Sequence, residues 1–344
     1  MSLTGEQQDL RDAVRGLLAR EGPAGDGHGD EGSLWRRLCG EVGVAGLAIP
    51  ERYGGAGAGP AETGVVMEEL GRDLTCSPML GSAVLAAQVL LASGDDAACG
   101  RLLPAIADGS ATAALAWTTR AGHWDSDDVA CQACQARGGW ELDGEAHYVL
   151  DGDTADVLLV AARGPAGIGL FDVDPRQDGV CRVAVPAMDA TRRLAVVRLT
   201  RARGRRVGGD ASGALSRARD LACLALGAEQ VGAARRALDL TVGYALTRVQ
   251  FGQVIGGFQA LRHRLADLHV LVESARSLAR AAAAGDTPEE APALGLRAAA
   301  VKVYCSDALT RTAAEMIQLH GARHLFGSPA RHAAAIAASL LDQQ

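Results

Sequence analysis

The chain has 344 residues, 48% of them hydrophobic and 22% charged, with a formal net charge of −7 and only 3% aromatics. This length allows a large core and more than one domain, built mainly from aliphatic side chains, and the charge balance does not suggest a nucleic-acid footprint, which would need a clustered basic surface. No apolar run reaches the roughly 18 residues of a membrane helix, and the start Met1-Ser-Leu-Thr-Gly-Glu-Gln-Gln8 lacks the pattern of a signal peptide. A cytoplasmic protein, with no membrane and no nucleic-acid partner, is therefore expected.

Eight cysteines are scattered along the chain and are read as free, mostly buried thiols. Cys131 and Cys134 form a single CxxC without a second pair or a histidine at metal spacing, so no metal site is expected.

Residues 1–110 read as an α-helical domain. Thr4 caps a helix whose apolar side carries Leu10, Val14 and Leu17, and the Gly-rich, charged segment 21–32 breaks it. Helical patterning resumes near Leu34 and runs, with interruptions, to about Ile106. The glycine run in Pro50-Glu-Arg-Tyr-Gly-Gly-Ala-Gly-Ala-Gly-Pro60 lacks the GxGxxG spacing and is read as a structural turn, not a phosphate cradle.

Residues 111–210 read as a β-sandwich or barrel. Val157-Leu-Leu-Val160, Gly169-Leu-Phe-Asp-Val173 and Leu194-Ala-Val-Val-Arg-Leu199 are short β-type runs bounded by turn residues. The basic cluster Arg201-Ala-Arg-Gly-Arg-Arg206 is read as a solvated loop.

Residues 211–344 read as a C-terminal four-helix bundle. Phe258, Leu261, Leu265, Leu268, Val272, Ala275 and Leu278 recur at steps of three and four, on one face of a long helix. Gly285 ends that helix. Thr287, Pro288 and Glu290 suit a capping box for the next one, expected from about 292 to 320. The predicted fold class is a multidomain α+β protein with the order α, β, α-bundle.

Several words inside this order resemble the acyl-CoA dehydrogenase family. They are Leu47-Ala-Ile-Pro-Glu-Arg-Tyr-Gly-Gly55, Met67-Glu-Glu-Leu-Gly-Arg72, Leu142-Asp-Gly-Glu-Ala-His-Tyr-Val-Leu150, Ala155-Asp-Val-Leu-Leu-Val160 and Asp189-Ala-Thr-Arg-Arg-Leu194. The most specific are Arg248-Val-Gln-Phe-Gly-Gln253, followed by Phe258-Gln259, and Ile317-Gln-Leu-His-Gly321. Their succession over about 330 residues is what makes the resemblance specific.

The resemblance implies FAD in the crevice between the β domain and the bundle, an acyl thioester substrate, and α,β-desaturation. It also implies assembly as a homo-oligomer or a hetero-oligomer with a family homologue, and an electron-acceptor flavoprotein. By resemblance, Arg248 and Phe251 contact the diphosphate and adenine side of the cofactor, and Gln318 and Gly321 approach the same part. A permanently charged guanidinium and close-approaching glycine backbone suit a diphosphate. At the flavin ring the expected residues are Thr118, with its neighbour Trp117, and Tyr148, with Ser126 near the phosphates or substrate. Leu150 stands where a hydroxyl is common in the family, and Ala146 replaces a usual lysine.

Proton abstraction next to a thioester carbonyl needs a base within hydrogen-bond reach, and no carboxylate stands where relatives carry one. The equivalents after the His-Gly word are Ser328 or Ala337, and the alternative position counts to Ala222, with Asp220 two residues away as the candidate base. Glu229 and Glu315 are read as surface or structural, and His324 and His332 as ordinary surface histidines. The sequence resembles short bacterial subunits that pair with a catalytic partner. Three readings follow: a dehydrogenase acting alone, a non-catalytic or half-catalytic subunit of a heteromeric one, and the same fold in non-redox work.

Overall fold

The computed structural model describes residues 2–21, 31–125, 127–187, 189, 191–285 and 293–321. Helix α1 (Gly5–Glu21) begins with a reciprocal cap. Thr4 Oγ1 accepts from Gln7 N at 3.2 Å, and Gln7 Oε1 accepts from Thr4 N at 3.2 Å. Val14 and Leu17 of its apolar side are fully buried. After α2 (Glu31–Arg37), the glycine run is a chain reversal: Ala56 N donates to Gly46 O at 2.9 Å and Ala58 N to Leu47 O at 2.7 Å. Helix α3 (Pro60–Arg72) starts on a proline, and Glu62 accepts from Gly59 N at 3.0 Å. A wholly buried π-helical run, Met79–Ala86, leads into α4 (Ala87–Ala92), and α5 (Asp96–Ala107) completes this layer.

Seven strands follow: β1 (Ala113–Ala116), β2 (Cys131–Ala136), β3 (Gly139–Leu150), β4 (Val157–Gly164), β5 (Gly167–Val173), β6 (Val180–Val185) and β7 (Leu194–Val207). β4 pairs with β2 on one side and β5 on the other, and β2–β3–β7–β5 completes the circuit, so five strands close into a barrel. β1 runs parallel to the first half of β4, and β6 lies against β7. Leu142, Leu158, Val160, Phe171 and Val197 fill the interior.

The basic cluster is not a loop. Arg201–Arg206 lies within β7, paired with β3 and β5. Arg201, Arg203 and Arg205 point to water while Ala202 is buried. Charges on the solvated face of a strand hide its alternation because the inward positions here are small. Cys131 is buried and Cys134 exposed, three residues apart on one strand and so on opposite faces; no metal-binding cluster occurs among the described residues.

Three long helices of the bundle are described: α6 (Ser212–Thr247), α7 (Gln259–Ala284) and α8 (Leu294–His320). A short hairpin, β8 (Val249–Gln250) and β9 (Gln253–Val254), joins α6 to α7. Leu268, Val272 and Ala275 of the predicted α7 face are buried, and Gly285 caps its end. The capping box at 287–290 lies outside the described residues. Among the described residues no helix is long and apolar enough to cross a membrane.

Candidate active site

The three layers meet around one crevice. Trp124, Tyr148, Leu150, Asp189, Arg192 and Leu194 line it from the β side. Gly71 and Leu80 come from the N-terminal helices, and Leu309 from α8. Leu226, Glu229, Gln230 and Ala233 complete it from α6, at the i, i+3, i+4, i+7 spacing of a single helical face.

A β-bulge aims Tyr148 into this space. The pairing of β3 with β7 shifts register between Ala146 and Val149, and Tyr148 takes a left-handed φ of 54°. An extra residue in a strand bends it and re-aims a side chain. Tyr148 is 46% exposed, so its ring is presented to the crevice and not packed in the barrel. Its hydroxyl donates to Arg120 O at 3.4 Å, and a Cβ on Gly122 would lie 3.2 Å from its ring. Leu150 faces the same space, and its pairing partner Leu194 stands beside it.

Thr118 and Trp117 do not line the crevice directly. The Thr118 hydroxyl donates to His147 O, while His147 N donates to Thr118 O at 3.0 Å. The hydroxyl expected at the flavin ring is thus spent on holding the strand that carries Tyr148, because a residue 2% exposed must satisfy its polar atoms internally. Trp117 is buried behind Trp124, with ring centroids 6.1 Å apart, and Trp124 is the indole that reaches the crevice. Ser126, Ser328, Ala337, His324 and His332 lie outside the described residues.

Asp220 also lies elsewhere. Arg219 binds its carboxylate at 2.9 Å, and it faces the first turn of α8, 3.2 Å from where a Cβ on Gly295 would stand. Nine residues at about 100° each put Asp220 and Glu229 on opposite faces of α6. The counted position, Ala222, is fully buried in the core. Glu315 pairs with Arg264 at 2.6 Å, as a structural reading requires.

Glu229 is paired too, but inside the crevice. It is salt-bridged to Arg192, with side chains 16% and 23% exposed, which joins α6 to the turn entering β7. Burial works against the Arg192 charge, yet Glu229, Asp189 and Asp151 outweigh it and hold its pKa above that of a free guanidinium. Asp189 shapes this turn by accepting from Thr191 N at 2.9 Å and Thr191 Oγ1 at 2.6 Å. Gln230 donates to Ser306 Oγ at 3.1 Å. The family-like word Asp189-Ala-Thr-Arg-Arg-Leu194 gives no sign of this pair, whose members are 37 residues apart.

The remaining expected residues gather at the far end of the bundle. Arg248 ends α6, and Phe251 sits at the hairpin tip, 92% exposed. Tyr244 stacks on His320 at 4.3 Å, bringing the end of α8, with exposed Gln318 and Gly321, beside them. Leu246, Val249 and Val254 are also exposed there. From Ala233, the last crevice residue on α6, to Arg248 is about 22 Å at 1.5 Å per residue, so these groups do not reach their own chain's crevice.

A helical layer, a closed β-barrel and a helical bundle around a common apolar crevice define the architecture of the acyl-CoA dehydrogenases. The description of the N-terminal domain of acyl-CoA dehydrogenase matches residues 4–110 and that of the C-terminal domain residues 213–338. The chain is 39% identical over 324 residues to the acyl-CoA dehydrogenase IpdE2 of Mycobacterium tuberculosis, covering 92% of this chain and 85% of that one. A Tcur3481-Tcur3483 steroid ACAD variant superimposes with a TM-score of 0.86 at 29% identity, covering 97% of this chain and 92% of that one. The ChsE4-ChsE5 complex from M. tuberculosis gives a TM-score of 0.87 at 27% identity, covering 99% and 93%. The chain belongs to the acyl-CoA dehydrogenase family, and it is an oxidoreductase of the flavoenzyme type that acts on acyl thioesters.

Proposed function

We propose that the crevice between barrel and bundle receives the isoalloxazine ring of FAD, and that the protein is an FAD-dependent α,β-dehydrogenase of acyl thioesters. The observation that carries this reading is the bulge that turns Tyr148 out of β3 into an apolar slot floored by Leu150, Leu194 and Leu226. A flat aromatic group fits such a slot, and a strained left-handed tyrosine is expected where a site needs it. Bound there, the flavin supplies the hydride acceptor. The leucines would exclude water from it, and Tyr148 and Trp124 would offer it aromatic contacts.

Arg248, Phe251, Gln318 and Gly321 of one chain serve the cofactor of another. All four are exposed near the joined ends of α6 and α8, and the length of α6 separates Arg248 from its own crevice. A second family chain is thus part of each site, and an electron-acceptor flavoprotein reoxidises the enzyme.

One observation favours a half-catalytic subunit within a heteromeric dehydrogenase. Among the described residues the two crevice carboxylates are both engaged, Glu229 by Arg192 and Asp189 by Thr191, and Asp220 lies on another face. The test is purification alone and together with a co-expressed family homologue, followed by anaerobic titration with acyl thioesters of graded size. A yellow protein bleached by one of them is expected. Bleaching only in the mixed complex establishes the half-catalytic form, whereas a colourless protein that takes up no FAD overturns the flavin reading and leaves non-redox use of the fold.

A further inference from the structure

We propose that the Arg192–Glu229 pair sets the electrostatic environment of the flavin, with Arg192 stabilising negative charge on the ring and Glu229 moderating it. This rests on the flavin reading above. The two side chains come from different layers, one from the turn entering β7 and one from α6, and both line the crevice. They are neither sealed in the core nor on the outer surface, being 23% and 16% exposed.

The surroundings decide how strongly such a pair is felt. Leu150, Leu194 and Leu226 share the crevice wall with it. A ring lodged against them displaces water, and charges in a water-poor slot act more strongly than on a solvated face. Asp189 and Asp151 add to Glu229 in keeping Arg192 charged. A flavin gains negative charge on reduction, and charge near its ring is one of the levers by which a protein tunes it. The intact pair is nearly neutral. Deleting either member therefore tips the field in opposite senses, whereas a pair that only braced the two layers would loosen the site in the same way from either side.

Sulfite reads this field without any acyl substrate. Its sulfur lone pair attacks a ring nitrogen of oxidised flavin: an S–N bond forms as the ring C=N π bond opens, the displaced electron pair leaves the ring anionic, and the yellow absorbance is lost. In FAD-loaded protein, Glu229→Gln is expected to tighten sulfite binding, and Arg192→Gln to weaken it, each on the order of tenfold. The double variant is expected to return towards the parent. Equal affinities in both single variants, or shifts of the same sign, would overturn the inference while the bound flavin still supports the functional reading. A parent that binds no FAD overturns that reading itself. If Arg192→Gln loses the flavin, Glu229→Gln decides alone, because its carboxamide keeps a hydrogen bond to Arg192 and removes only the charge; an unchanged sulfite affinity there overturns the proposal.

Discussion

Gly71 of α3 and Glu229 of α6 meet backbone to backbone: a Cβ on Gly71 would lie 2.0 Å from the Glu229 carbonyl oxygen. Gly232 makes the reciprocal approach, with its Cβ position 1.8 Å from Glu68 O. The two helices cross at a distance that only glycine permits, and this crossing brings the Glu229 side chain to the crevice. Gly232→Ala is expected to destabilise the fold by about 1–3 kcal/mol, the usual cost of overpacking. Gly71→Ala is expected to do the same and to weaken flavin retention. Denaturant melts with the flavin absorbance followed in parallel check both, and parent-like values would show that the helices separate at no cost.

Tyr148 tests the slot itself. It is half exposed, so Tyr148→Ala should change stability little, within about 1 kcal/mol. Its expected effect is on the cofactor: FAD should dissociate on the order of tenfold more readily, the scale of one lost aromatic contact of about 1.4 kcal/mol. Equilibrium dialysis against free FAD measures this. Full retention would place the ring somewhere other than against Tyr148.

Phe251 tests the second chain. At 92% exposure it contributes nothing to the core of its own subunit. Phe251→Asp is expected to leave thermal unfolding of the isolated chain unchanged, to shift the protein to smaller species in light scattering, and to lower its FAD content. Unchanged mass and unchanged FAD content together would remove the hairpin from the interface.

The buried thiols make a pH prediction. Burial raises Cys39, Cys131 and Cys305 from an ordinary value near 9 to about 12. Because the folded value lies above the unfolded one, their contribution to stability is complete below pH 9 and is lost progressively between about pH 9 and pH 12. Native protein should therefore lose stability through that range. At neutral pH a thiol reagent should label exposed Cys134 and Cys181 at once, and buried Cys39, Cys99, Cys131 and Cys305 only on unfolding. Rapid native labelling of Cys131 would contradict its burial.

The helices were legible in the sequence where one face carried the signal. The α7 stripe from Leu265 to Leu278 repeats at helical spacing, and Thr4 announces the first turn of α1, where the structure adds Gln7 as its partner, because both signals lie within a few residues of chain. The cluster Arg201–Arg206 misled because a run of charge looks like solvated loop, and only cross-strand pairing makes it β7. Asp220 misled in a related way. Counting along the chain pointed to it, but a side chain's direction on a helix buried on several sides depends on which neighbours surround it.

By itself, then, the sequence determined the order of helical layer, strands and bundle, and carried the family's words, since propensity, periodicity and short motifs are local properties of the chain. The tertiary structure alone decided what the crevice is made of. Its wall draws on residues from Gly71 to Leu309. Arg192 meets Glu229, and the Thr118 hydroxyl is turned to His147, through the packing of separate layers, which brings together groups that no local pattern connects.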